Sequence, residues 1–243
     1  MTEMNETVAE NYSPEFDILY EDNHIIVVLK KQMTACCPDE SKDDNLFDQI
    51  KKYLKIAYNK PGNVYLGLVH RLDRPTGGVM VYAKTSKAAA RLTEGLQTGD
   101  FEKKYLAVVC GTPEERGTLC NYLRKNTVNN MVYICTPSEE GAKYAELDYK
   151  TLESVGKYAL VDVRLHTGRT HQIRVQMAGI SHPIFGDMRY GGALAQKGKL
   201  ALWAYCLSFL HPITKERLRF MAYPPETETP WKAFDLSKAV EIV

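Results

Sequence analysis

The sequence predicts an α+β fold: a mixed, mainly antiparallel sheet with flanking helices. Three observations predict it. Apolar, β-branched stretches recur along the chain, either continuous or alternating with polar residues. Apolar residues at helical spacing are confined to a few scattered segments. Short breaks rich in Gly, Pro, Asn and Asp separate the two kinds. Many strands with few, scattered helices make an α+β protein.

The elements follow in order. Residues 1–16 read as a flexible tail and residues 17–243 as one domain. Residues 17–30, DILYEDNHIIVVLK, read as two short strands about an Asp22-Asn23 turn. Residues 44–58 carry Leu46, Phe47, Ile50, Tyr53, Leu54 and Ala57 at helical spacing behind acidic residues, so a helix is predicted. VYLGLVHRL (64–72) and GVMVYA (78–83) read as strands, with a loop from Asp73 to Gly78 between them. Thr85 or Ser86 is placed to cap a helix running to about Leu96, and residues 104–111 form a further strand. Residues 112–142 read as irregular, a hairpin or flap around VYIC (132–135). Residues 145–155 and 158–166 alternate apolar and polar, as half-buried antiparallel strands do. Thr167–Thr170 form a turn, with Thr170 capping a helix through Met177. Strands at 200–210 and 217–223 and a short helix near Trp231 end the chain.

A chain of 243 residues is ample for a hydrophobic core, and 44% apolar with 25% charged residues is ordinary for a soluble protein. No apolar run is long enough to cross a bilayer. The start, MTEMNETVAENYSPEF, lacks the basic and apolar regions of a secretory signal, which reads as cytoplasmic. The six cysteines contain no C-x-x-C pair and read as reduced thiols, not metal ligands. A formal net charge of +1 argues mildly against a dedicated nucleic-acid binder. The basic residues nevertheless cluster: Arg71, Arg74, Lys103, Lys104, Arg164, Arg169 and Arg174 fall in three short segments that would make a basic cleft if they converged.

Those three segments carry the candidate chemistry. In GLVHRLDRPTGG (67–78), Asp73 lies between Arg71 and Arg74 on a glycine-rich loop. Neighbouring positive charge keeps such a carboxylate ionised, although the same pattern also describes a surface ion pair. In FEKKYLAVVCG (101–111), Tyr105 is able to stack on a base or move a proton, or is simply a half-exposed strand tyrosine. In RLHTGRTHQIRVQMAGISHPIFGD (164–187), Arg169, His171 and Arg174 lie at or beside the start of a predicted helix, where unpaired backbone N–H groups favour phosphate. His166 and His171 are five apart across a turn, a poor spacing for a metal pair.

The three segments resemble the A-type pseudouridine synthases of bacteria, which modify large-subunit ribosomal RNA and transfer RNA. His70-Arg71-Leu72-Asp73-x-x-Thr76-x-Gly78 resembles the family's catalytic motif. Lys104-Tyr105-Leu106 resembles its tyrosine motif, and Thr167–Arg174 with His182-Pro183-Ile184-x-Gly186-Asp187 its third. The likeness runs from about Ile18 to Tyr223. Two departures stand out. Lys30-Lys31-Gln32-Met33 occupies the place of a Lys-Pro-x-Gly turn, and Gly77 that of a serine. The N-terminal residues before the first strand are too few for the small RNA-binding domain that many relatives carry, so a catalytic domain alone is expected.

The resemblance implies the pseudouridine synthase catalytic fold and an RNA pseudouridine synthase that isomerises uridine in structured ribosomal or transfer RNA. The target base would be flipped into a pocket. Asp73 would act at the sugar or the base, Arg174 would pair with it and keep it charged, and Tyr105 would stack on the uracil and assist proton removal. Arg71 would fill the gap left by the flipped base. Arg74, Lys104, Arg169, His171 and Ile173 would bind RNA or wall the pocket. No cofactor or metal is implied, and a monomer is expected. Two rivals differ in class: a catalytically inactive RNA-binding module, and a hydrolase using Asp73 and Asp187 as an acid–base pair.

Overall fold

The computed structural model describes residues 14–40 and 42–239. Most of the expected N-terminal tail, residues 1–13, lies outside the described residues. Contacts group the chain into two compact units, one running to Phe101 and taking in Ser208–Phe220, the other holding Glu102–Leu207 and the chain from Met221 onward.

In the first unit, β1 (Asp17–Glu21) and β2 (Ile25–Lys30) form an antiparallel hairpin, and β2 pairs antiparallel with β4 (Gly77–Ala83). The Asp22 side chain builds the hairpin turn by accepting hydrogen bonds from the backbone N–H of His24 (2.7 Å) and Ile25 (2.8 Å). The unbroken apolar runs of β2 and β4 suit strands buried on both faces. Helix α1 (Leu46–Ala57) buries Leu46, Ile50 and Leu54 on one stripe. Its cap, Asn45, accepts from Asp48 N–H (3.0 Å) while its own amide donates to the Asp48 carboxylate (2.8 Å), a reciprocal box. Helix α2 (Ser86–Thr98) is capped by Thr85, as one of the two expected residues, and stops at Gly99 in the left-handed region (φ +85).

One expectation is corrected here. Residues 64–72 were expected to form a strand, but β3 spans only Gly67–Leu68. Side chains replace the ladder beyond it. The Val81 N–H donates to His70 Nε2 (3.1 Å), and the Cys36 thiol both accepts from Leu72 N–H (3.3 Å) and donates to Leu72 C=O (3.0 Å). A backbone whose polar groups are met by side chains need not be extended.

In the second unit, β5 (Glu102–Cys110) pairs with β9 (Tyr158–Leu165), β9 with β8 (Lys143–Val155), β8 with β6 (Arg116–Lys125) and β6 with β7 (Val132–Cys135), all antiparallel. The expected alternation in residues 145–166 is present as β8 and β9. Residues 112–142 are more regular than expected, because β6 runs for ten residues. Its sequence, RGTLCNYLRK, has two glycine- or charge-bearing ends that masked a strand whose partners β7 and β8 lie later in the chain. Strand β10 (Leu202–Leu210) starts in this unit and ends in the first, where it turns through His211–Glu216 into β11 (Arg217–Met221). Two short 3-10 helices, Trp231–Ala233 and Leu236–Ala239, stand where a short helix was expected.

Helix α3 (Gln172–Gly179) brings the second correction. Its cap is His171 in a left-handed conformation (φ +51), not Thr170, and no side chain of the cap bonds the helix. The Gln172 side chain organises the entry instead. Its carbonyl accepts from Arg169 N–H (3.0 Å) and Thr167 Oγ (2.7 Å), and its amide donates to Glu146 C=O (3.0 Å). The predicted α+β class is the observed one, with antiparallel pairing predominant and three α-helices among the described residues.

Candidate active site

The first unit carries Arg71, Asp73 and Arg74 on the loop between β3 and β4. Arg71 is exposed and Asp73 half-buried, so the carboxylate is offered to solvent from a fixed base. Arg74 turns away into acids, with Nη1 2.5 Å from Asp43 Oδ2 and Nη2 2.9 Å from Asp39 Oδ2. That pairing raises the Arg74 pKa further and competes with any phosphate for its guanidinium.

Beneath the loop lies Lys30, fully buried at the end of β2. Its ammonium donates to the carbonyls of Lys31 (3.2 Å), Arg74 (3.0 Å) and Thr76 (2.6 Å), three donors for three acceptors. Burial pushes its pKa down to about 8; the charges of Cys36 and Asp73 oppose that fall and that of Arg74 adds to it. Burial also raises the Cys36 thiol, against its hydrogen bond from Leu72 and the Lys30 charge. Gly78 takes a positive φ (+129), whereas Gly77, at the position where the family's serine is common, is not among the left-handed glycines.

The second unit carries the other candidates. Tyr105 and Lys104 are buried on β5, and Lys104 Nζ stands 3.9 Å from Glu102. The Lys104 charge also acts on buried Asp162, whose pKa rises through burial while Lys104 and a hydrogen bond from Tyr205 (3.1 Å) restrain it. Buried Lys104 thus interacts with two acids, Glu102 and Asp162. Exposed Arg169 donates from Nε to the Tyr144 carbonyl (2.8 Å).

Ile173 and Arg174 are buried on α3. Arg174 forms a bidentate pair with fully buried Asp187, Nε to Oδ2 at 2.7 Å and Nη2 to Oδ1 at 2.8 Å. Burial would raise the Asp187 carboxyl, but the Arg174 hydrogen bonds and charge, with backbone N–H groups of Tyr190 and Arg189, hold it below its ordinary value. Gly186 permits this turn: its φ is +76, and a Cβ there would lie 2.2 Å from the Lys199 carbonyl oxygen.

Tyr190 was not singled out from the sequence. Its ring lies under the Arg174 guanidinium, 5.1 Å from the centroid. Its hydroxyl accepts from Val132 N–H (3.0 Å) and pairs with His171 Nδ1 (2.7 Å), so it ties β7 to the start of α3. Lys30, Gln32 and Tyr190 left only weak traces in the sequence: a lysine ending an apolar strand, the residues in place of the family turn, and a tyrosine just after Gly186-Asp187.

The comparisons place the chain among RNA-modifying isomerases. The chain belongs to the RNA pseudouridylate synthase family, whose model matches residues 24–179. It is 35% identical over 225 residues to ribosomal large subunit pseudouridine synthase D of Vibrio cholerae, covering 86% of this chain and 68% of that one. It is 33% identical over 241 residues to the uncharacterized RNA pseudouridine synthase YjbO of Bacillus subtilis, covering 98% of this chain and 80% of that one. Human RNA pseudouridylate synthase domain containing 4 shares the fold, with a TM-score of 0.72 at 23% identity over 93% of this chain and 94% of that one. No helix among the described residues is long and apolar enough to cross a membrane.

Proposed function

We propose that residues 17–243 act as one catalytic domain that converts uridine in ribosomal RNA to pseudouridine, with Asp73 as the catalytic carboxylate. The observation that carries the assignment is the loop itself: a half-exposed Asp73 heads a turn whose backbone is tied down by Lys30. A carboxylate presented this way has a fixed origin and an accessible charge, the requirement for attack on carbon or for stabilising positive charge on a sugar. Tyr105 is assigned to stack on the uracil and assist proton removal, Arg174 to keep Asp73 ionised, Arg71 to fill the gap left by the flipped base, and Ile173 to wall the pocket. Arg74, Lys104, Arg169 and His171 are assigned to the RNA, Arg169 foremost because it is exposed. The reaction transfers nothing to a second molecule and changes no oxidation state, so neither cofactor nor metal is required. The domain works as a cytoplasmic monomer. The naming of the Vibrio cholerae relative favours large-subunit ribosomal RNA over transfer RNA as the target.

Asp187 is unsuited to the acid–base role of a hydrolase, being fully buried and held by Arg174. The test is tritium release from large-subunit ribosomal RNA labelled at uracil carbon 5. Wild type should release tritium and Asp73→Asn should not, while both bind the RNA equally; asparagine keeps the shape and loses the charge. Near-wild-type release by Asp73→Asn would remove the carboxylate from the mechanism. EDTA should leave release intact unless it unfolds the RNA.

A further inference from the structure

The segment Lys30-Lys31-Gln32-Met33, which departs from the family's turn, lies against the catalytic loop. Its donors reach successive carbonyls of that loop. Lys30 Nζ donates to Arg74 and Thr76 C=O, the Met33 N–H to Arg74 C=O (2.8 Å), and the Gln32 side-chain amide to Pro75 C=O (2.9 Å). Thr76 N–H closes the turn on Asp73 C=O (2.9 Å). All four carbonyls from Asp73 to Thr76 are therefore hydrogen-bonded. Met33 reaches its position in the left-handed region (φ +67), a strained conformation for a non-glycine residue.

We propose that Gln32 is a positioning residue for the reaction: with Lys30 and Met33 it forms a clasp that fixes the backbone behind Asp73, and its amide supplies the donor to Pro75. The proposal rests on Asp73 as the catalytic carboxylate. Through that bond to Pro75, Gln32 acts on the loop backbone and sets where Asp73 starts from. A loop released by a fraction of an ångström loses turnover without losing RNA, because a misplaced catalytic group costs the transition state more than the ground state.

The experiment measures tritium release from the labelled large-subunit ribosomal RNA for wild type, Gln32→Ala and Gln32→Glu, beside their thermal unfolding. Gln32→Ala should lower kcat by about tenfold with KM held within about twofold, the pattern of lost alignment. Gln32→Glu has nearly the same shape but no donor while ionised. Its defect should match that of Gln32→Ala at pH 7.5 and shrink as pH falls toward about 5, because the protonated carboxyl regains an O–H for Pro75. Rescue by protonation separates positioning from bulk packing, which the alanine variant alone would not. A Gln32→Ala kcat equal to wild type overturns the clasp, and so does a loss matched by the fraction unfolded or a Gln32→Glu defect that ignores pH. Asp73→Asn run alongside distinguishes the two failures: activity surviving there sinks the assignment of Asp73, whereas activity abolished there with Gln32→Ala unaffected sinks the clasp alone.

Discussion

Arg174 and Asp187 meet through two parallel hydrogen bonds of 2.7 and 2.8 Å, with the guanidinium lying over the Tyr190 ring. A buried ion pair is costly to break from one side, since the survivor keeps its desolvation penalty and loses its compensation. Asp187→Asn should therefore destabilise the protein by about 3–5 kcal/mol in urea unfolding, the range for breaking a buried pair from one side. The folded Asp187 pKa lies below the ordinary 3.8, so its contribution is present above that value and disappears as pH falls through the lower, folded one. The stability gap between wild type and variant should thus be flat at neutral pH and narrow only below about pH 4. A gap that did not narrow at all as pH fell below about 4, or none at pH 7, would contradict the pairing.

Tyr105→Phe should keep RNA affinity and slow turnover. The ring proposed to stack is retained and the hydroxyl proposed to assist proton removal is lost, so the two proposed roles come apart. Filter binding and tritium release on one preparation measure both. Full turnover by the phenylalanine variant would leave Tyr105 a stacking role only.

Arg169→Ala should weaken RNA binding and reduce its dependence on salt. Arg169 is exposed and held by one nitrogen on the Tyr144 carbonyl, so the rest of the guanidinium faces outward. If it neutralises one phosphate, the slope of log affinity against log salt should drop by roughly 1. An unchanged slope would remove Arg169 from the RNA surface.

Lys30→Met gives a prediction with a sign set by pH. The native lysine titrates at about 8 against 10.5 when unfolded, so between these values the unfolded chain holds more protons and wild-type stability rises with pH. Methionine has no such term. The stability of wild type relative to Lys30→Met should therefore improve by about 1.4 kcal/mol per pH unit between pH 8 and 10. Cys36, Asp73 and Arg74 face Lys30 and are common to both proteins. A flat difference over that range would place the lysine in water, contrary to its full burial.

The sequence was most legible where one local rule governed. The stripe Leu46-Ile50-Leu54 marked α1, and Thr85 marked the start of α2. It was least legible where distant side chains stood in for backbone partners. Nothing local to residues 69–72 shows that His70 and Cys36 take over the ladder there. Helix α3 buries Gln172 through Met177 on every side, so no amphipathic stripe exists to fix its start. Asp73 was readable because a charged motif on a glycine-rich loop is conspicuous. Gln32 was not, because the backbone oxygen it serves lies 43 residues away.

The hydrogen bonds by which Lys30, Gln32 and Met33 hold Arg74, Pro75 and Thr76 end on main-chain oxygens, which every residue type possesses. The course of the loop is thus specified from outside, and the identities of residues 74 and 75 carry less of that duty. This gives the loop room to diversify. A library randomised at Arg74 and Pro75 should yield many folded members that differ in which RNA they accept, whereas one randomised at Lys30 and Gln32 should be dominated by poor catalysts. The scaffold is a template for retargeting at one end and intolerant of drift at the other.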